Sequence, residues 1–521
     1  MRLHDFLDYW ARERPHAEFA VAGRQSVSYA EAASLANRVA GRLVALGCRK
    51  GSRVAVVAKN TSWYPVLYFA AAKAGLVLLP VNWRLVPSEW LGILQDARPT
   101  VLIVGREQLA GIDEIRAGLV TVEHFVAEGD ERRRQWESLE RWLSEGPVVA
   151  PEVEVTPSDA LYQMYTSGTT GAPKGAVLSH GAVTSNVLQI SLAHPVSPGE
   201  RGLAVLPMFH AAVIPAAFSV LCRGGSLFIL DAFDPERVVR VLDAERICVA
   251  TLVPAMLQAC LAAVQDVADR RYERLRSIYY GASPIAEDTL REAIEAFRCG
   301  FVQSYGMTEA AQALTFLSAA DHRLALESRP ELLLSAGRPA AGTTLGVLDA
   351  NDARTAMGGP GEIVARGPQL MSGYWQRPAE TMQALRDGWL HTGDVGRLDE
   401  DGYLFVEDRI KDMIVSGGEN VYPRIVEQVL VRHPGIAEAA VIGIPDEHWG
   451  ETVKAVVVAR EGVVCTEEEI LAFCRPRLGS FERPRSVDFI DALPRTATGK
   501  VLKRALRAPH WAGHGRRVSG A

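Results

Sequence analysis

The sequence predicts an α/β protein, with a large N-terminal domain of helix-flanked sheets followed by a small α+β C-terminal domain. The first observation behind this is an alternation, from about residue 30 to 350, of short β-branched or apolar runs with segments of helical period. The runs are RVAVVA, TVLIVG, GLAVLP, SLFIL, ICVATLV and SIYYG; the helical segments include AEAASLANRVAGRLVALG and PERVVRVLDAE. Strands that alternate with helices pair in parallel and are covered on both faces. The second is a change of texture around 385 to 420, where RDGWLHTGDVGRLDEDGYLFVEDRIKDMIVSGGENVYP is dense in Gly, Asp and turn pairs. After it, RIVEQVLVRHPGIAEAAVIGIP and ETVKAVVVA form a compact helix and strand series of small-domain size. The third is size, since 521 residues at 48% hydrophobic and 23% charged suffice for more than one core.

The junction is placed near Asp408 to Asp412, dividing the chain into 1–408, 409–505 and a tail, 506–521. The closing stretch RAPHWAGHGRRVSGA has no apolar period and reads as disordered. No repeat of fixed period interrupts this order. The most apolar window, SWYPVLYFAAAKAGLVLLPVNW, contains Lys73 and reads as a buried helix, a Gly turn and a strand, not a membrane span. The N-terminus, MRLHDFLDYWARERPH, sets Asp and Arg inside its apolar pattern, which a signal peptide's core would exclude.

A formal charge of −6 without a concentrated basic face argues against nucleic acid or an anionic membrane as the main partner. The seven cysteines are scattered and never spaced C-x-x-C, so neither a disulfide framework nor a zinc site is expected, and a reducing cytoplasm fits.

One stretch stands apart. In YTSGTTGAPKGAV, residues 165–177, three glycines, four Ser or Thr and one Lys are gathered just after the apolar run ALYQMY. ALYQMY reads as a strand, TSGTTGAPKG as the loop at its carboxyl end, and the continuation as a strand edge and then a helix opening near Ser179. Gly168, Gly171 and Gly175 let backbone N–H groups converge on an anion, Ser167, Thr169 and Thr170 add hydroxyl donors, and Lys174 adds a charge. The spacing is not the Walker pattern, because Gly follows the Lys where Ser or Thr would be required. Alone, the loop reads equally as a mobile Gly/Ser turn.

Two further strand ends carry related chemistry. SIYYGAS, residues 277–283, offers bare backbone to a flat ring, and FVQSYGMTE, residues 301–309, sets Tyr305 to stack and places Thr308 beside Glu309, a carboxylate able to hold Mg²⁺. An aromatic before Gly is otherwise core, and a Glu after Thr otherwise caps a helix.

Together YTSGTTGAPKG, PMFH, YGMTE, HTGD, DRIKDMIVSGGENVYP and PRTATGK fall in the order and spacing of the acyl-adenylate-forming superfamily, which the chain resembles from about residue 5 to 505. That superfamily includes acyl-CoA synthetases, luciferases and peptide-synthetase adenylation domains. The resemblance implies a small distorted barrel beside the large sheets, a hinge before the C-terminal domain, and ATP, Mg²⁺ and coenzyme A as cosubstrates and cofactor. It implies that Thr166, Ser167, Gly168, Thr169, Thr170, Gly171 and Lys174 hold the β- and γ-phosphates. Gly281, Ala282, Ser283, Ser304, Tyr305 and Gly306 would surround adenine, and Thr308 would reach the α-phosphate. Glu309, with Thr169, would hold Mg²⁺. Asp394 would take both ribose hydroxyls, one acceptor group facing two neighbouring donors, with Arg409 assisting. Lys500 would bridge the substrate carboxylate and α-phosphate, where negative charge builds during transfer. Lys411 would be the hinge, the Gly417–Gly418 turn would line the pantetheine tunnel, and His210 would stand at the mouth of the acyl pocket.

The activity so implied is an acid–thiol ligase making an acyl-CoA, with AMP and pyrophosphate released. The segment AAVIPAAFSVL after His210 is small and apolar, which suggests a roomy pocket for a medium- or long-chain fatty acid or similarly bulky apolar acid. An aryl or cinnamate-type acid, or a carrier-protein acceptor, is the alternative. A sensor on a retired scaffold should have lost Lys500, Glu309 or Asp394, and all three are present. Partners are then small molecules, with no integral membrane segment, and a homodimer is compatible.

Overall fold

The computed structural model describes residues 1–129, 135–166, 173–410, 412–416, 419–446, 448–460, 462–495 and 501–511. The chain divides into two compact units. One holds Met1–Pro284, Thr289–Leu345 and Ala365–Leu390; the other holds Ile285–Asp288, Gly346–Val364 and His391–Ala521.

Two sheets build the first unit. The eight-stranded one runs, in spatial order, Gly373–Tyr374, Lys174–Ser179, Ala160–Thr166, Val77–Pro80, Arg53–Val57, Val101–Val104, His124–Ala127 and Glu137–Ser138. Its central strands, such as VLIV at Val101–Val104, are buried at every position, as parallel strands covered on both faces must be. The helix Tyr64–Lys73 is buried along its whole length, followed by Gly75 at φ 66° and the strand Val77–Pro80, so the most apolar window of the sequence is interior helix, turn and strand. Lys73 is neutralised there by an ion pair with Asp8. Among the described residues no helix is long and apolar enough to cross a membrane.

The nine-stranded sheet sets Arg201–Ala204, Ile247–Leu252, Ser277–Gly281 and Gly300–Tyr305 side by side in parallel register, with Gly281 opposite Ser304. Their carboxyl ends therefore share one edge, where ligands of open α/β sheets bind.

Most of the sheet Thr344–Leu348, Gly361–Arg366, Trp389–Leu398 and Leu404–Arg409, the expected small barrel, falls in the second unit. A separate sheet, Glu419–Val421, Ile414–Ser416, Gly450–Ala459 and Ile436–Asp446 with Ser486–Phe489 alongside, packs the helices Pro423–Leu430 and Glu467–Cys474 around Ile414, Val426, Val441, Val453 and Ile470. Structure continues past residue 505. The helix Lys503–Arg507 is tied by Arg507 to Asp412, and Trp511 Nε1 donates to the Gly443 carbonyl at 3.0 Å.

Candidate active site

The strands on either side of residues 167–172 pair with each other. Ala160–Thr166 pairs antiparallel with Lys174–Ser179, Tyr165 opposite Gly175 and Thr166 opposite Lys174. The helix His180–Ala193 starts only after the second strand, capped by Ser179, whose hydroxyl accepts from Ala182 N at 3.1 Å. A helix N-terminus thus does not follow residues 167–172 directly, as it does in a Walker motif. Ser167, Gly168, Thr169, Thr170 and Gly171 lie outside the described residues. Gly175 lies within the second strand, where a Cβ would come 2.5 Å from Gln163 Nε2.

A partly buried network beside the hairpin strands fixes their base. Arg53 donates to Gln163 at 2.7 Å, Gln163 to the Tyr165 hydroxyl at 3.1 Å, and Tyr165 to Asp96 at 2.5 Å; Arg377 holds the other Asp96 oxygen at 2.7 Å. The Arg53 guanidinium also lies 3.2 Å over the Trp375 ring, and burial lowers its pKa to about 10.

The segment Met371–Trp375 stitches Glu309 to this hairpin. Met371 N donates to the Glu309 carbonyl at 2.8 Å, Ser372 N to Val177 O at 2.9 Å, and Trp375 N to Gly175 O at 2.8 Å. Tyr374 then donates its hydroxyl to Glu309 Oε1 at 2.7 Å, and Lys174 Nζ sits 5.3 Å from the same ring. Glu309 is buried, at 6% exposure. A carboxylate with one oxygen held by a phenol suits a hard cation that takes one protein carboxylate and completes its shell with phosphate oxygens and water, as Mg²⁺ does. Thr308 and Glu309 form a single 3₁₀ turn just past the strand end that carries Tyr305. Tyr374→Phe keeps the ring and removes the hydroxyl. We expect it to raise the Mg²⁺ concentration for half-maximal adenylation by about tenfold; an unchanged Mg²⁺ titration would remove Tyr374 from this role.

Gly281 ends one strand, with Ala282 and Ser283 just past it, and Ser304 and Tyr305 end its neighbour, with Gly306 just past it. The two glycines answer to the protein's own chain. A Cβ on Gly281 would lie 2.4 Å from the Ser304 carbonyl, and one on Gly306 would lie 1.9 Å from that of Gln312. Ala282 holds φ 68°, a left-handed conformation that an alanine adopts at a cost and that collects at functional strand ends. His210 lies half-buried in the turn after PMF, its Nδ1 accepting from Ala212 N at 3.1 Å. Asn60 pins that turn, donating to Leu206 O at 2.9 Å and accepting from Met208 N at 2.8 Å.

Asp394 and Arg409 belong to the second unit and face each other across paired strands, Arg409 Nε 3.0 Å from Asp394 Oδ1. The HTGD segment is braced by Glu362, which accepts from Gly393 N at 3.0 Å and meets His391 Nδ1 at 2.8 Å. Asp394 is 4% exposed, an acceptor group held by one arginine and suited to paired hydroxyls. Lys411, Gly417, Gly418 and Lys500 lie outside the described residues.

The model of the AMP-binding enzyme family matches residues 7–375, and that of its C-terminal domain matches 425–500. The chain belongs to the AMP-binding enzymes. Within this acyl-adenylate-forming superfamily it falls in the AMP-forming acid–CoA ligase branch. It is 38% identical over 498 residues to a feruloyl-CoA synthase of an Amycolatopsis species, covering 95% of this chain and 96% of that one. It is also 38% identical over 484 residues to a long-chain-fatty-acid–CoA ligase of Mycobacterium tuberculosis, covering 92% of each. Among solved structures, ATP-bound MatB from Rhodopseudomonas palustris superposes with a TM-score of 0.88 at 31% identity, covering 98% of this chain and 99% of that one. The fold expected from AMP-binding enzymes is therefore the one observed. Tyr374, Asp96, Arg377 and Asn60 are site residues the sequence reading passed over. For Tyr374 and Arg377 the signal was the aromatic and Arg content of SGYWQRP, residues 372–378; Asp96 and Asn60 carried none.

Proposed function

We propose that the protein condenses a medium- or long-chain fatty acid, or a similarly bulky apolar acid, with coenzyme A in the cytoplasm, through an acyl-adenylate. The observation that carries this reading is the grouping of Lys174, Tyr374 and Glu309 beside the shared strand edge that bears Thr308, Tyr305 and the Gly281–Ser283 turn. A cation and a buried carboxylate next to an adenine-sized edge suit a nucleoside triphosphate with its metal. Mg²⁺, held by Glu309 and Thr169, would neutralise phosphate charge when bound.

In the first step a carboxylate oxygen of the acid bonds to the α-phosphorus and the bond to pyrophosphate breaks. Lys174 and Thr308 would hold the phosphates in line, and Lys500 would sit where the two anions meet. In the second, the thiol sulfur of coenzyme A bonds to the acyl carbon, the acyl–phosphate bond breaks, and AMP leaves as the thiol proton is lost. Rotation about Lys411 would clear Lys500 and bring the Gly417–Gly418 turn into place.

Support for an apolar acid comes from Val213, which caps the helix Ile214–Cys222, and from Ala216, Ala217 and Val220 on it, which line a void with residues 202–206 of the strand Arg201–Ala204 and the turn after it. The relatives named for feruloyl-CoA and for long-chain fatty acids are the two substrate classes to separate. Each buried methylene contributes about 0.8 kcal/mol, so four more carbons raise capture by roughly two orders of magnitude. We expect kcat/KM for acid-dependent AMP release to climb from C4 to at least C8, acetate to be poor, and Ala212→Trp to shorten the preferred chain. Activity confined to cinnamate- or benzoate-like acids would replace the fatty-acid reading with the aryl one, and an unchanged profile in Ala212→Trp would place Ala212 outside the pocket.

A further inference from the structure

We propose that His194 forms the far end of the acyl site and that the preferred acid carries a hydroxyl there, its O–H donating to His194 Nε2. This rests on the acid–CoA ligase reading above.

His194 follows the helix His180–Ala193 and is buried, at 4% exposure. Its ring stacks on Tyr279 with centroids 5.6 Å apart and interplanar angle 28°. Its Nε2 has no hydrogen-bond partner. The other ring nitrogen bonds the Ser277 backbone, and burial lowers the pKa to about 4, so the imidazole is neutral with its proton on Nδ1. Nε2 is then a bare acceptor in an apolar interior, and a buried acceptor without a donor is costly.

That ring borders a void whose other walls include Leu206, Val213, Ala216, Ala217 and Thr251, with room for about one water-sized group. A hydroxyl has that size and supplies the missing donor. Val213, which caps the helix Ile214–Cys222 after the His210 turn, and Ala216, Ala217 and Val220 on it form one stripe; the seven residue steps from Val213 to Val220 span about 10 Å. Measured down the neighbouring strand, from Gly281 at the adenylate edge to Ser277 at the level of His194 is four residues, or about 13 Å. The void is thus a medium acid's length from the reacting end. A site built to bond a hydroxyl discriminates against the analogue that lacks it, because its own polar atom is left unpaired.

The test measures kcat/KM for acid-dependent AMP release with ω-hydroxy and unsubstituted straight-chain acids from C6 to C12, and with 4-hydroxycinnamate against cinnamate. The wild-type enzyme is expected to favour the hydroxylated member at least tenfold at one length or in the aryl pair. In His194→Leu the ratio should fall to about one, and in His194→Gln, which keeps a polar end, part of it should return. No hydroxyl preference at any length in the wild type, or a preference untouched by both substitutions, overturns the proposal. The wild-type comparison stands even where a variant fails to fold. An enzyme that releases AMP with none of these acids fails the ligase reading itself, an outcome distinct from activity indifferent to the hydroxyl.

Discussion

Lys500→Ala is expected to lower acyl-adenylate formation by roughly 10²- to 10³-fold, while thioester formation from supplied acyl-AMP largely survives. As the carboxylate approaches the α-phosphorus, two anions are brought together and charge accumulates on the phosphoryl oxygens and departing pyrophosphate. A fixed ammonium matters most at that point and little to the thiol step, where the leaving group is already AMP. The pair of half-reactions separates this from a folding defect, because a misfolded C-terminal part would lose both. Equal losses in the two would show that Lys500 is not the bridging lysine.

Lys411→Pro is expected to give the complementary pattern: adenylation persists and thioester formation fails. Proline fixes φ near −65° and restricts Ile410 before it, which hinders a hinge without removing a substrate contact. The residues on either side are already engaged. Arg409 ends a strand opposite Asp394, and the amides of Asp412 and Met413 both donate to its carbonyl, at 2.9 and 3.0 Å. Both bonds cross position 411, so a rotation there has to break them. Undiminished overall turnover in the proline variant would remove domain alternation from this enzyme.

Much of the fold was legible because its signals are local. The VLIV and RVAVV runs, the buried helix from Tyr64, and the Ser179 cap can each be read from a few adjacent residues. Both strands beside TSGTTGAPKG and the helix opening at Ser179 were read as well; that the two strands pair antiparallel with each other was not. A strand run does not show which neighbour it pairs with, or in which direction; the sheet order does. The site's supporting residues were hidden for a different reason. Tyr374 meets Glu309 across 65 residues and Arg377 meets Asp96 across 281, separations at which no sequence pattern marks a pair. A Cβ on Gly281 or Gly306 would come 2.4 or 1.9 Å from the carbonyls of Ser304 and Gln312, so the chain itself also requires these glycines. A glycine reports crowding without saying by what. His194 carried no motif at all; its interest arises from an unpaired nitrogen beside a void, which only packing creates.

Acid-dependent exchange of labelled pyrophosphate into ATP, measured without coenzyme A, tests the central claim most directly. A reversible adenylation step predicts exchange that requires both an apolar acid and Mg²⁺, and, once coenzyme A is added, AMP and acyl-CoA in equal amounts. Absence of acid-dependent exchange with any acid of the panel, or formation of ADP and phosphate in place of AMP and pyrophosphate, would contradict it.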